Sequence, residues 1–402
     1  MTTSKIQFFW QNCFVDNEFR SGVSLHSHTM HSEESLEMIP RYTAKVPYLG
    51  AAIRRQEAEY KQQNGDRLDF KRAYWTPPLS PREAHRLEEK QIQSQFQLPG
   101  FVSLTDHDSI VAGVHLQVLE RFRDAPVSTE WTIPFGPTFF HLGVHNLPVE
   151  SSASLMAEMA AFTAAPRSEK LGPILDALSE YRDILIVLNH PYWDEKGIGY
   201  TEHETVLRQL LALHSRSFHA LELNGLRSWN ENKQVIAMAN GIGKPVVSGG
   251  DRHGCEPNAI LNLSRGTTLV EFIHDLRYNG FSHVVLMPQY HEPLKLRILQ
   301  TMVDVVREYP ADFGAQRAPR TGVPASVSLP EGRRRWSDRI FYKGPEYTEA
   351  LPLSKVWKDG GPAVVRHFLS AMRLIELRSV RSALRLALDD RSTVWSDQEA
   401  AV

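Results

Sequence analysis

The chain has almost no cysteine. Cys13 and Cys255 stand alone, too few for a disulfide framework, and neither belongs to a C-x-x-C pair. A reducing compartment is therefore expected. The N-terminal stretch MTTSKIQFFWQNCFVDNEFR lacks the basic start, apolar core and small-residue cleavage site of an export signal. No run approaches the roughly 18 apolar residues of a membrane span, so a cytoplasmic protein with no membrane contact is expected. Net charge is nearly absent too: Lys+Arg 45 against Asp+Glu 47 gives −2, with no overall field to gather nucleic acid or anionic lipid. There is no internal repeat and no long low-complexity segment. Also missing are G-x-G-x-x-G after a strand, G-x-x-x-x-G-K-[ST], H-E-x-x-H and G-x-S-x-G. The signatures of dinucleotide, nucleoside-triphosphate, zinc-protease and serine-hydrolase chemistry go with them. What the chain does have is 17 histidines in 402 residues, a side chain that titrates near neutrality and is the commonest metal ligand.

A composition of 42% hydrophobic and 23% charged residues describes a globular chain long enough for one large domain or two ordinary ones. From Gly22 to about Met287, short apolar runs alternate with amphipathic helical stretches: GVSL, FVSL, TFFHLGV, ILIVL, HALEL, PVVS, TTLV and HVVLM. The alternation predicts an α/β domain over 1–290 with a largely parallel sheet, and the number of units suits a barrel. Residues 36–99 interrupt it as a polar insert with a predicted helix at 82–96, a lid, a subunit contact or a plain surface decoration. Residues 291–402 read as a helical C-terminal extension. Helical periodicity covers Leu294–Glu308, a Pro/Gly/Arg-rich stretch including Arg333–Arg335 fills Pro310–Trp336, and an amphipathic helix spans Ala363–Asp390. That helix is expected to pack against the barrel, with dimerisation into a homo-oligomer as the alternative.

The informative polar residues follow strand ends. GVSL runs into His26-Ser27-His28, FVSL into Thr105-Asp106-His107, ILIVL into Asn189-His190-Pro191, and PVVS into Gly249-Gly250-Asp251-Arg252-His253. In a parallel α/β barrel such positions open onto one face, where side chains distant in sequence converge. His26 and His28, two apart, point to the same side and can grip one cation while Glu33 returns from the next turn. Asp251 and His253 repeat the arrangement. Mixed imidazole and carboxylate ligation suits Zn, Mn or Fe and a catalytic site rather than a structural one. With this many ligands, two or more ions can lie close together and activate water.

These residues carry a resemblance. HSHTMHSEES at 26–35, TDHD at 105–108, NHP at 189–191 and GGDRH at 249–253, in that order, resemble the motifs of the PHP (polymerase and histidinol phosphatase) superfamily over roughly residues 20–290. The resemblance implies a distorted (β/α)7 TIM-like barrel whose centre holds two or three divalent transition metal ions (Mn, Fe or Zn) and hydrolyses phosphoesters. Carried over, the ligands are His26, His28, His107, His190, Asp251 and His253. The family's bridging acid falls on Glu130, with Glu150 as the alternative, and its H-L-x-G histidine on His141, with His145 competing. The acid of the first motif, usually Asp, is Glu33 here, with Glu34 or His31 able to take its place. HALELNGLRS at 219–228 resembles a segment at the barrel mouth. There Arg227 is a candidate phosphate ligand, Arg252 is another, and Glu222 and Asn224 orient a ligand or substrate. Asp106 does capping work or acts on the leaving group.

The expectation is thus a metal-dependent hydrolase acting on a small-molecule phosphomonoester. The rivals are a phosphodiesterase or nuclease, for which a basic groove would speak, a metal-dependent C–N or carbonyl hydrolase, and a non-catalytic binding module on the same scaffold.

Overall fold

The computed structural model describes residues 3–11, 17–37, 72–306, 340–342 and 351–352, with scattered positions between 51 and 65. The predicted helix at Ala363–Asp390 and the stretch with Arg333–Arg335 lie outside the described residues. In chain order come β1 (Thr3–Phe8), β2 (Ser21–Ser24), β3 (Glu34–Ser35), β4 (Ala73–Trp75), α1 (Pro81–Phe96), β5 (Gly100–Val102) and α2 (Val111–Gln117). Next are β6 (Val127–Phe135), β7 (Thr138–Leu147), α3 (Ser152–Ala164), α4 (Ser168–Glu180), β8 (Leu185–Asn189), α5 (Tyr200–His214) and β9 (Ala220–Asn224). They are followed by α6 (Trp229–Gly241), β10 (Val246–Gly249), β11 (Ile260–Ser264), α7 (Leu269–His274), β12 (Phe281–Leu286), α8 (Leu294–Val306), β13 (Ile340–Tyr342) and β14 (Leu351–Pro352).

The described residues fall into two compact units, one up to Ser32 and from Leu79 to Ile298, the other holding Glu33–Pro78 and residues from Leu299 onward. The boundary cuts through the predicted insert, because α1 belongs to the first unit. In the second unit β14, β13, β4 and β3 form one antiparallel sheet, so two short strands occur where the extension was expected to be helical.

The first unit is α/β with two five-stranded sheets, ordered β1-β12-β11-β2-β5 and β10-β9-β8-β7-β6. Among the described residues no continuous ladder closes these strands into a barrel. The two sheets are joined by two isolated parallel bridges, Ser27 with Arg252 after β2 and β10, and His107 with Glu130 at the β5 and β6 edges. Nor is the unit as parallel as its rhythm suggests: β7 is antiparallel to both β6 and β8, and β11 is antiparallel to both β12 and β2. The reason for the first is local. Phe135 pairs with Thr138 across Gly136-Pro137, and Gly136 takes φ +58°, a two-residue hairpin turn that reverses the chain. TTLV is not a strand, because the Thr268 side chain accepts from the Glu271 backbone N–H at 3.1 Å and caps α7. The strand there is β11, a few residues earlier.

Strand β8 is buried throughout, and the apolar run that leads into it, Ile184–Leu188, is almost wholly removed from water, as expected of a strand covered on both faces. Helices α3 to α5 contribute Met159, Leu171, Leu175, Leu207 and Leu210 to the main core, around Trp131, Leu142 and Phe218. Trp131 keeps its indole N–H satisfied by the Met159 carbonyl at 3.1 Å. Helix α1 starts at a capping box in which the Ser80 hydroxyl accepts from the Glu83 N–H and Glu83 accepts from the Ser80 N–H. Among the described residues no helix is long and apolar enough to cross a membrane.

Candidate metal centre

The turns that follow β2, β5, β8 and β10 deliver His26, His28, His107, His190 and His253 to one place in the first unit, where strand β7 adds His141. They do so on unusual backbone: His26 (φ 61°), His190 (φ 25°) and Asp251 (φ 53°) lie in the left-handed region although none is glycine. Such conformations cost about 1–3 kcal/mol each and persist where the surroundings over-determine them. Here the Asp251 N–H donates to the His26 carbonyl at 2.8 Å and the His28 N–H to the Arg252 carbonyl at 2.9 Å. Two glycines complete the geometry. A Cβ at Gly249 would fall 1.5 Å from Glu222 Oε1, and one at Gly143 would fall 2.9 Å from Asn189 Oδ1. The glycines of GGDRH and HLG thus leave room for the groups behind the centre.

Glu130 sits in the middle, fully buried. Its Oε2 is 2.9 Å from His26 Nε2, 3.2 Å from His28 Nε2 and 3.4 Å from His107 Nδ1. Its Oε1 is 3.0 Å from His190 Nε2 and 3.6 Å from His141 Nδ1. Asp251 Oδ1 joins the first side, 3.7 Å from His26 Nε2, 3.6 Å from His28 Nε2 and 3.4 Å from His253 Nδ1. Two groups within metal-binding reach share this carboxylate: His26, His28 and Glu130, and His107, Glu130 and His141, with ligand atoms inside 4.8 Å of one another. The rings of His28 and His253 stack at 4.1 Å.

The far sides of the rings show which nitrogens face inward. His26 Nδ1 is held by Glu222 Oε1, and His28 Nδ1 lies 3.1 Å from the Ser32 hydroxyl, which also accepts from the His107 N–H at 3.1 Å. His253 Nδ1 faces the Asp251 carbonyl at 2.9 Å; a carbonyl only accepts, so Nδ1 carries a hydrogen. Outer partners of this kind orient metal-ligating imidazoles. Glu222 Oε2 also accepts from the His190 N–H at 2.8 Å and from Asn224 Nδ2 at 2.9 Å. Asn224 reaches Asp251 Oδ2 as well, at 3.2 Å, and Asn189 Nδ2 donates to Glu130 Oε1 at 3.0 Å.

The electrostatics call for a cation. Burial lowers the proton affinity of His26, yet Glu130, Glu222 and Asp251 outweigh it and raise the imidazole well above its ordinary range. Burial works against the charged form of Glu130 as well, but His26, His107 and His141 hold the carboxylate well below its usual value. Asp251 is likewise held low despite burial, by His26 and its hydrogen bond with His28. His141 goes the other way: burial leads, and its imidazole stays neutral and free to ligate. Inward lone pairs, ionised carboxylates and a deficit of positive charge in a buried place fit a divalent transition metal centre.

The sequence-predicted residues divide clearly. His26, His28, His107, Glu130, His141, His190, Asp251 and His253 come together. Glu130 takes the central place and Glu150 is exposed in the turn after β7. Glu33 is not among them. It is exposed in the second unit, where burial first and the Glu33 carboxylate second push the Tyr74 hydroxyl up to about 12; Glu34 is the buried acid of the two. Asp106 is fully committed to Thr29, accepting from its N–H at 2.5 Å and its hydroxyl at 2.7 Å, and does capping work. Arg252 spends its guanidinium on buried protein acceptors, Glu88 Oε1, the Gly254 carbonyl and the His28 carbonyl, so it holds the turn together instead of reaching for a phosphate. Arg227 faces the centre, with Nη2 3.9 Å from Asp251 Oδ2 and its guanidinium 3.8 Å over the Trp193 ring. Cys255 is a buried thiol. Sequence reasoning gave no role to Ser32, Asn189, Trp193 or Glu88, although Ser32 lies inside HSHTMHSEES and Asn189 inside NHP.

A small cleft opens against His141, Asn189 and His190, walled by Phe139, Trp193 and Glu195. His145, four residues after His141 in β7, does not line it and lies 2.8 Å from the Ser103 hydroxyl. Burial, followed by the charge on His26, drives this imidazole down to about 3. The unfolded chain takes up the proton near 6.5, so the stability tied to neutral His145 is complete above that pH and is lost as pH falls from about 6.5 toward 3. Denaturant midpoints in EDTA should drop by an equivalent of about 2 kcal/mol between pH 8 and pH 5 from this group alone. His145→Gln should remove that part of the slope; an unchanged slope would contradict the assignment.

No family model matches the chain, and no curated protein matches it. Solved structures similar to it include an amidohydrolase from Chromobacterium violaceum, 14% identical over 57% of this chain and 87% of that one, with a TM-score of 0.34. Another is a protein of Bifidobacterium adolescentis assigned as a metal-dependent phosphoesterase, 15% identical over 50% of this chain and 92% of that one, TM-score 0.33. A third is PsfC from Pseudomonas syringae, 14% identical over 71% of this chain and 97% of that one, TM-score 0.33.

Proposed function

We propose that the chain is a metal-dependent hydrolase of the PHP type, on a distorted barrel, that cleaves a small-molecule phosphomonoester in the cytoplasm. One observation carries the reading: Glu130 turns one oxygen to His26, His28 and His107 and the other to His141 and His190. His26, His28, His107, His141, His190 and Glu130, with Asp251 and His253 beside them, would hold two or three divalent ions (Mn, Fe or Zn). Ions so placed supply Lewis-acid activation of water and of a phosphoryl oxygen. The protein's own share is orientation and charge. Glu222, Ser32 and the Asp251 carbonyl fix the imidazole tautomers. Arg227, braced by Trp193, pairs with the phosphoryl oxygens as water adds to phosphorus and the alcohol departs.

Metal analysis of the purified chain, then phosphate release from nucleotides, sugar phosphates and phospho-amino acids in Mn²⁺, tests this. Phosphate release that EDTA abolishes is expected. Arg227→Ala should raise KM about tenfold, the loss of roughly one charged hydrogen bond, with a smaller change in kcat. A protein that releases no phosphate from the panel but opens an amide or lactone would replace the phosphoesterase reading with the C–N or carbonyl hydrolase. One that takes up no transition metal would remove both.

A further inference from the structure

We propose that Glu88, carried by α1, is a positioning residue for the metal centre, acting through Arg252 on His28 and on the turn that bears Asp251 and His253. The inference rests on the metal-centre reading above. Glu88 is completely buried, and its Oε1 accepts from Arg252 Nε at 3.0 Å. The same guanidinium donates Nη2 to the His28 carbonyl at 3.0 Å and Nη1 to the Gly254 carbonyl at 2.9 Å, so one side chain clamps both ligand-bearing segments. Glu88 further accepts from the Asn258 N–H at 3.1 Å and the Ser24 hydroxyl at 3.1 Å. Asn258 returns its amide to Ser24 Oγ, the Leu25 carbonyl and Ser27 Oγ at 2.7, 3.1 and 3.0 Å. Every residue from Ser24 to His28 except His26 is thereby tied, directly or by one intermediary, to a single carboxylate on a helix from the sequence insert.

The packing shows how α1 is held at the required depth. A Cβ on Gly22 would lie 2.5 Å from Ile92 Cγ2 and one on Gly100 3.1 Å from Ile92 Cδ1, so two glycines let the helix sit directly on β2 and β5. Gly250 opens the matching space on the other side, where a Cβ would fall 1.7 Å from Asn258 Cγ. A buried ion pair contributes little net stability compared with a well-packed apolar pair, because desolvation offsets the attraction. What Glu88 and Arg252 do supply is a fixed direction for two backbone carbonyls next to three metal ligands. The insert's helix is then part of the centre's frame, neither lid nor decoration.

Calorimetric titration of the metal-free full chain with Mn²⁺, together with the visible ligand-field spectrum of the Co²⁺-loaded protein, tests this without any turnover assay. Glu88→Gln, which keeps an acceptor but loses the charge, is expected to weaken Mn²⁺ binding about 10–100-fold, the range for outer partners of metal ligands, and to shift the Co²⁺ spectrum; Glu88→Ala should weaken it further. Glu89→Ala, which removes only a surface partner of Arg121, should leave both readouts unchanged. If Glu88→Ala fails to fold, Glu88→Met combined with Arg252→Met decides: restored thermal stability with weak Mn²⁺ binding supports positioning. Wild-type Mn²⁺ affinity and Co²⁺ spectrum in Glu88→Gln, or in the double variant, overturn the proposal. A wild-type chain that binds neither metal overturns the metal-centre reading itself.

Discussion

Glu130→Gln should abolish both the metal response and the chemistry: turnover should fall at least about a thousandfold, equivalent to about 4 kcal/mol of transition-state stabilisation. The reason lies in the two-sided placement of the carboxylate, 2.9 Å from His26 on one oxygen and 3.0 Å from His190 on the other. A carboxamide offers one neutral acceptor and turns N–H donors toward the remaining imidazoles, so neither side keeps its anionic ligand. The metal-free variant should also be destabilised, since removing one member of a buried charged set leaves the others uncompensated, at a cost of about 3–5 kcal/mol. Thermal melts separate the two effects. Mn²⁺ at a hundred times its dissociation constant stabilises a folded binder by about 2.7 kcal/mol, so the wild-type chain should melt higher with Mn²⁺ than with EDTA, and the variant should melt at one temperature in both. A variant that keeps its Mn²⁺ shift and its turnover would remove Glu130 from the centre.

How much of this was legible in the sequence depends on whether the determining partner is near or far along the chain. The histidines at strand ends were legible because each motif combines an apolar strand with a polar turn, and because GGDRH and HLG show glycines where a side chain would collide with Glu222 or Asn189. Arg252 was not. Its neighbours at 251 and 253 both join the cluster, but Asp251 takes a positive φ, which breaks the alternation of a strand. The guanidinium turns to Glu88, a partner 164 residues away on a helix of the insert, and no local pattern announces that. Of the two readings open for Asp106, its acceptor bonds to Thr29, 77 residues away, favour capping, and that partner too is invisible locally. Glu33 and Glu34 differ by one position, but β3 begins at Glu34, which is buried, while Glu33 just before it is exposed. The strand count failed for a reason of periodicity. VSTEWTIPF reads as neither a clean alternation nor an apolar run because it buries the polar Ser128, Thr129 and Glu130 in succession, Glu130 at the bridge to His107, and its register with β7 shifts between Val127 and Thr129.

Glu222→Gln should be the most damaging substitution of a residue that binds no metal itself. Its carboxylate holds His26 Nδ1, accepts from the His190 backbone at 2.8 Å and from Asn224 at 2.9 Å, and so sets the ring of one ligand and the backbone of another. The cavity for it is built in, because a Cβ at Gly249 would stand 1.5 Å from Oε1. Glutamine fills the same space but cannot accept at both oxygens. If its oxygen stays with the His190 N–H and Asn224, its amide N–H₂ faces His26 Nδ1. Nδ1 must then surrender its hydrogen, moving the ring's remaining proton to Nε2, the nitrogen that faces Glu130. The neutral ring then presents a donor where a lone pair is needed. Metal affinity and kcat should fall together by about 10–100-fold, while KM for substrate, proposed to depend on Arg227, should change little. Glu222 is also one of the carboxylates that raise His26, so the metal-free variant should lose the His26 proton at lower pH than the wild-type chain. That shift can be followed by histidine resonances in NMR titrations with EDTA present. A variant with normal metal affinity and an unshifted His26 would show that the outer carboxylate does not determine the tautomer, and that Glu130 alone suffices to orient the ring.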